Sequence, residues 1–134
     1  MRAREAHFLT FFFICKIILT YVDWSYGLSP SGEQLLAMLA ALANPHRLRV
    51  MAALGKNGRN YVSQLARELG ISRPLLHLHL QKLEEAGLVT SKLELSADGK
   101  ALNYFEVAKF AIELTPSSLI KAAATLPALP AQTD

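Results

Sequence analysis

Through the middle of the chain, apolar residues recur with a helical period in four successive blocks, each opened by a residue suited to capping. In SGEQLLAMLAALA, Ser31 to Ala43, the residues Leu35, Leu36, Leu39 and Leu42 follow the i, i+3/i+4, i+7 spacing of an amphipathic helix. Ser31 is a good N-cap for it. Asn44-Pro45 closes this helix and opens the next, because asparagine caps well and proline's missing N–H would lack a partner in the first turn anyway. The second block, PHRLRVMAALG, is expected to turn Leu48, Met51 and Leu54 inward, with Arg47 and Arg49 on its flanks, and to stop near Gly55 or Gly58. The third, NYVSQLARELG (Asn60 to Gly70), begins with a short extended piece, Tyr61-Val62. Ser63 is then the expected N-cap, with Leu65, Ala66 and Leu69 on one side and Gly70 at the left-handed closing position.

Ile71 and a second capping serine, Ser72, follow at once. About three residues centred on a glycine therefore separate two helices, which is helix-turn-helix spacing. In the last block, Ser72 to Ala86, Pro74 falls within the first turn, where its fixed φ is an advantage. Leu76, Leu80 and Leu83 gather in a narrow arc, with His79 and Ala86 at its edge. Pro74, His77, Leu78, Gln81 and Glu85 point the other way, with Arg73 at the flank. An outward leucine is unusual on a solvated helix face, but it suits a helix lying in a DNA groove, where thymine methyls offer apolar partners.

After Gly87 the period changes from helical to alternating. Lys92 to Leu95 and Asn103 to Val107 alternate around Ser96-Ala97-Asp98-Gly99-Lys100, and Asp-Gly is a strong hairpin signal. Phe110 to Leu114 is expected to add one more strand before Pro116. The predicted fold is mostly α with a small β-hairpin wing (α+β), a winged helix-turn-helix. Residues 28–115 form that domain, residues 1–27 an apolar leader, and residues 116–134 a short helix and a frayed tail.

Length and charge narrow the picture without changing it. At 134 residues the chain holds one domain and an extension. Fourteen Lys and Arg against eleven Asp and Glu give a net charge of +3, a balance compatible with nucleic acid. The single cysteine, Cys15, excludes an intramolecular disulfide and any cysteine metal cluster. His77 and His79 lie about 200° apart on a helix and cannot easily share an ion. His77 is read as a nucleic-acid contact, His79 as a structural, half-buried residue and His46 as a first-turn surface residue. No phosphate loop, GxSxG or HExxH is present. Glu84 and Glu85 face different ways, and Cys15 stands among phenylalanines that would raise its pKa. No catalytic residue, cofactor or metal is expected.

The leader, Phe8 to Val22, is apolar except for Lys16 and shorter than the roughly 20 residues of a membrane span. Arg2 and Arg4 precede it, yet DWSYGLSP after it offers no small-residue cleavage site. The positive-inside rule would also send the following domain out of the cell. Three readings stay open: a helix packing on the domain or on a dimer partner, which is favoured; an upstream start not normally used; and a membrane segment, with membrane contact through residues 8–22.

ANPHRLRVMAAL, YVSQLARELGIS, RPLLHLHLQKLEEAGLV and the Asp-Gly hairpin ending NYFEV together resemble the ArsR-like winged helix-turn-helix regulators, over about residues 33–110. The resemblance implies a cytoplasmic, dimeric transcription repressor that reads double-stranded DNA with the helix Ser72–Ala86. Arg73, Pro74, His77 and Leu78 would face the groove, with Ser72 and Gln81 beside them. Phosphates would be met by Ser63 and Gln64 at a helix N-terminus and by Arg67, Lys82, Lys92 and Lys100. Leu75 and Leu78 stand where the family usually has polar residues. The metal-sensing branches carry a cysteine pair where this chain reads SQLAREL, and no histidine follows Val107, so metal sensing is not implied. The wing offers Lys92 and Lys100 beside an acid, Asp98, in place of the several arginines common in the family. Two-fold operators imply a homodimer with recognition helices about 34 Å apart. Its expected interface is Ser31–Ala43, the leader and Ser117–Leu126, with Ala122 to Ala124 allowing close approach. The alternative is a winged-helix module for protein–protein contact, tethered to a membrane through residues 8–22.

Overall fold

The computed structural model describes residues 29–130, so the leader Phe8–Val22, with Cys15, lies outside the described residues. Within them the chain runs α1 (Gly32–Leu42), α2 (Pro45–Asn57), β1 (Asn60–Tyr61), α3 (Val62–Leu69), α4 (Arg73–Glu85), β2 (Val89–Leu95), β3 (Ala101–Val107) and α5 (Pro116–Ala124). This is the expected winged helix-turn-helix. None of the described helices is long and apolar enough to cross a membrane.

The caps fall where side-chain chemistry puts them. Ser31 and Gln34 form a reciprocal capping box on α1: the Ser31 hydroxyl accepts from the Gln34 amide at 3.3 Å, and the Gln34 side chain accepts from the Ser31 amide at 3.0 Å. The Asn44 side chain accepts from the amides of His46 (2.9 Å) and Arg47 (3.2 Å), with Pro45 opening α2. Arg47 then folds back and donates to the Ala41 and Ala40 carbonyls, placing a cation at the C-terminal end of α1.

Val50, Met51 and Leu54 of α2, Leu65 and Ala66 of α3, Leu76, Leu80 and Leu83 of α4, Leu88, Val89 and Phe105 make one core. Two expected inward leucines are outside it. Leu48 is 57% exposed and Leu36 is 56% exposed. In α2 the buried arc runs from Val50 through Leu54 to Met51, and Leu48 lies roughly 60° past its edge at 100° per residue. In α1 the inward side is Leu35, Met38 and Ala41, and Leu36 is the overhang of an apolar stripe wider than the contact it makes.

His79, expected half-buried at the edge of the arc, is buried, and its Nε2 has no hydrogen-bond partner among the described residues. It stacks on His46 with ring centroids 5.5 Å apart, so His46 is half-buried packing rather than surface decoration. Burial, followed by the charges of His46 and Arg47, pushes the His79 pKa below the ordinary histidine value.

Ser63 is not the cap of α3. Asn60 pairs with Phe105 and Tyr61 with Tyr104, so β1 runs straight into the helix and leaves Tyr61 at the cap position with no side-chain cap bond. Ser63 therefore sits inside the first turn. The same pairing turns the expected two-stranded wing into an antiparallel sheet of order β1-β3-β2. The hairpin itself is as expected. Val89 faces Val107 and Leu95 faces Ala101, and Gly99 takes a φ of 75° in a turn closed by the Ser96 amide on the Lys100 carbonyl at 2.8 Å.

The strand expected over Phe110–Leu114 does not form. β3 is the central strand with both edges already paired, and the chain leaves the sheet after the Ala108 amide meets the Leu88 carbonyl. It proceeds to α5, which Thr115 and Ser118 close with a second capping box. α5 packs on α1 of its own chain. The Gly32 amide donates to the Thr125 hydroxyl at 2.7 Å, and a Cβ on Gly32 would lie 2.5 Å from the Ala122 carbonyl oxygen, so only glycine permits this approach.

Candidate nucleic-acid interface

Three features orient α4. Gly70, at φ 66°, ends α3 in the left-handed conformation, and the Ile71 amide returns to the Ala66 carbonyl at 3.1 Å. Ser72 then caps α4, its hydroxyl accepting from the Leu75 amide at 3.4 Å. Leu76, Leu80 and Leu83 are completely buried on the inner side. Burying three leucines contributes about 1.5–3 kcal/mol each, which fixes the rotation of the helix about its axis. Arg73, Pro74, Leu75, His77, Leu78, Gln81 and Lys82 are consequently all exposed. Pro74, Leu78, Gln81 and Lys82 lie opposite the buried leucines, with Arg73 and His77 on one flank and Leu75 on the other.

The polar members of that side differ in freedom. Gln81 donates to one carboxylate oxygen of Glu85 at 3.1 Å, and the Lys82 ammonium meets the other at 3.0 Å. The hydrogen bond and charge of Lys82 hold the Glu85 carboxyl below its usual range. Lys82 thus carries a counter-charge within its own helix, which reduces what it can offer a phosphate.

The expected phosphate contacts on α3 are engaged within their own helix. Ser63 is half-buried and its carbonyl accepts from the Arg67 Nε at 3.3 Å. Gln64 is exposed and donates to Glu68 at 3.1 Å. In the hairpin, Lys100 is exposed beside the turn, and Lys92, paired opposite Tyr104, lies 3.7 Å from Glu94.

Arg59 was not among the residues singled out from the sequence. It meets Glu94 at 2.7 Å and lies 4.8 Å from the centre of the Tyr104 ring. Its hydrogen bond is the main cause holding the Glu94 carboxyl below its usual range. Arg59, Lys92 and Tyr104 form one cationic and aromatic face of the sheet, with Glu94 in its middle. The only signal in the sequence was an arginine just before a short extended piece, and its partners are far along the chain.

Residues 42–92 match the family model described as a helix-turn-helix domain. That span runs from the end of α1 into the wing and includes the whole α3–turn–α4 unit. The chain carries a helix-turn-helix domain within a winged-helix fold. Over 61 residues the chain is 44% identical to an uncharacterized helix-turn-helix-type transcriptional regulator of Methanocaldococcus jannaschii, covering 46% of this chain and 63% of the relative. Over 65 residues it is 31% identical to the helix-turn-helix-type transcriptional regulator YgaV of Escherichia coli, covering 48% of this chain and 66% of that protein. The chain thus spans just under two thirds of the length of each of these curated relatives. Among solved structures it is similar to a homodimeric winged helix-turn-helix DNA-binding domain of Mycobacterium bovis, described as "a possible ArsR-family transcriptional regulator". That likeness has a TM-score of 0.51 and 27% identity, covering 57% of this chain and 66% of the other.

Proposed function

We propose that this chain is a sequence-specific, dimeric DNA-binding transcription regulator acting as a repressor in the cytoplasm. It reads the major groove with α4 and the backbone with the wing. The observation that carries this is the outward side of α4: a capped helix, held from behind by three buried leucines, presents Arg73, Pro74, His77, Leu78 and Gln81 together to the outside. In this reading Arg73 and His77 supply polar base-edge contacts and Pro74 shapes the first turn at Ser72. Gln64, Arg67, Lys82, Lys92 and Lys100 meet phosphates, with Ser63 at the start of α3 and Arg59 added from the structure. The winged unit is residues 28–115, residues 116–134 are an appended helix and tail, and residues 1–27 are a separate leader. No catalytic step belongs to this reading.

Dimerisation is supported by the homodimeric Mycobacterium bovis neighbour and by the exposed apolar side chains Leu36 of α1 and Leu119 and Ile120 of α5, which lie on two helices packed together. A gel-shift with the DNA upstream of the chain's own reading frame tests the proposal. A complex of two copies that resists random competitor DNA supports it. Folded protein that gives no more retardation than on random DNA, even at low salt, overturns it. One observation favours a second reading, a protein-interaction wing: Leu93 and Leu95 project from one face of β2 and are well exposed. In that case the folded protein leaves DNA unshifted while substitutions at Leu93 and Leu95 abolish partner capture.

A further inference from the structure

Two leucines of α4, Leu75 and Leu78, lie outside the packed core. Leu75 is 39% exposed and Leu78 is 61% exposed. They are three residues apart, so they share one strip of the helix surface, with Arg73 and Pro74 before them and Gln81 and Lys82 after. The core is already filled from the other side by Leu76, Leu80 and Leu83. The polar neighbours that could read base edges by hydrogen bonding are partly committed, because Glu85 takes the side-chain donor of Gln81 and the ammonium of Lys82. What remains along the middle of the strip is hydrocarbon.

The floor of the major groove presents hydrogen-bonding groups on all four bases and one apolar group, the 5-methyl of thymine. Placed against an adenine, guanine or cytosine edge, the leucine strip would strip water from polar atoms and return no bond. Against thymine it meets carbon with carbon. We propose that Leu75 and Leu78 select thymine through its 5-methyl group, so that each half-site carries thymines under this strip beside the bases chosen by Arg73 and His77. The proposal rests on the DNA-reading function given above and names the chemistry of that site's ligand.

The test uses the full chain and duplexes selected by it from a random-sequence pool. Each thymine of the selected duplex is replaced in turn by deoxyuridine, which removes only the methyl group. At the positions under Leu75 and Leu78 the affinity is expected to fall about four-fold per methyl, the equivalent of one buried CH2 group. In Leu78→Ala, an exposed position that leaves the core intact, binding weakens and the penalty at its thymine disappears. A duplex that binds equally well with every thymine replaced overturns this inference and leaves the DNA-reading function standing. A Leu78→Ala variant that keeps the full penalty at every position also overturns it, since the methyls would then act through DNA shape. A pool from which folded protein selects nothing overturns both.

Discussion

Replacing His79 with leucine is expected to leave the protein slightly more stable at neutral pH and more so in mild acid. His79 is 8% exposed, and its Nε2 is buried without a partner. Leaving such a polar atom unsatisfied costs about 1–3 kcal/mol. Leucine removes that cost and forfeits the stack on His46, worth about 0.5–1.5 kcal/mol. At pH 7.5 the midpoints of these terms leave the variant about 1 kcal/mol more stable than the wild type. Acid widens the difference. The folded-state pKa of His79 is lowered, chiefly by burial and then by the charges of His46 and Arg47, whereas in the unfolded chain it is about 6.5. Between those two values only the unfolded chain binds the proton, so the wild type loses stability as the pH falls below about 6.5, by at most about 1.4 kcal/mol per pH unit, until the folded-state pKa is reached. His79→Leu lacks this loss. Urea unfolding of both proteins at pH 7.5, 6.5, 5.5 and 5.0 reads the difference directly, because titrating groups away from the His46–His79 stack cancel. A difference between variant and wild type that is the same at pH 5.0 and pH 7.5 would refute the argument. It would mean that His79 is solvated or paired when the chain is folded.

Other expectations follow from single contacts. Leu80→Ala opens a cavity in a fully buried position between α4 and the rest of the core, and should lower unfolding stability by about 2–5 kcal/mol in urea titrations. Ser72→Ala removes the hydroxyl that accepts from the Leu75 amide and should cost about 0.5–2 kcal/mol, with Ser72→Asp restoring most of it. Gly32→Ala should loosen α5 from α1, because the added carbon meets the Ala122 carbonyl and Leu126; raised amide exchange in α5 with α4 unchanged is the expected signature. Lys100→Ala should reduce the slope of log affinity against log salt by about 0.9 per protomer if that lysine meets a phosphate, with sequence preference unaltered.

Much of the helix-turn-helix was legible because its signals are local. Ser72 as cap, Pro74 in the first turn, Gly70 at the left-handed stop and the spacing of Leu76, Leu80 and Leu83 all act within a few residues of one another, and the structure has them in those roles. The Asp98-Gly99 turn is local too. What could not be read depends on partners distant in sequence. Leu36 and Leu48 are apolar and well spaced, but which part of an apolar stripe is covered depends on where the neighbouring helix lies. The β1 pairing with Tyr104 and Phe105 takes the cap position of α3 away from Ser63, and no pattern near Ser63 announces it. The same is true of the His46–His79 stack and of Arg59 against Glu94. At the candidate interface, exposure of Arg73, His77, Leu78 and Gln81 was legible from the wheel. The ties of Gln81 and Lys82 to Glu85 were present as i, i+4 and i, i+3 spacings but gained meaning only once their geometry was known.

The most direct test is a two-dimensional NMR titration of the full chain with the duplex upstream of its reading frame. The largest shifts are expected at Arg73, His77, Leu78 and Gln81, smaller ones at Lys92 and Lys100 in the wing, and none at the side chains of Leu76, Leu80 or Leu83. Shifts concentrated instead on Leu93 and Leu95, or on Leu119 and Ile120, with the Arg73 and His77 signals unmoved, would contradict the reading of DNA by α4.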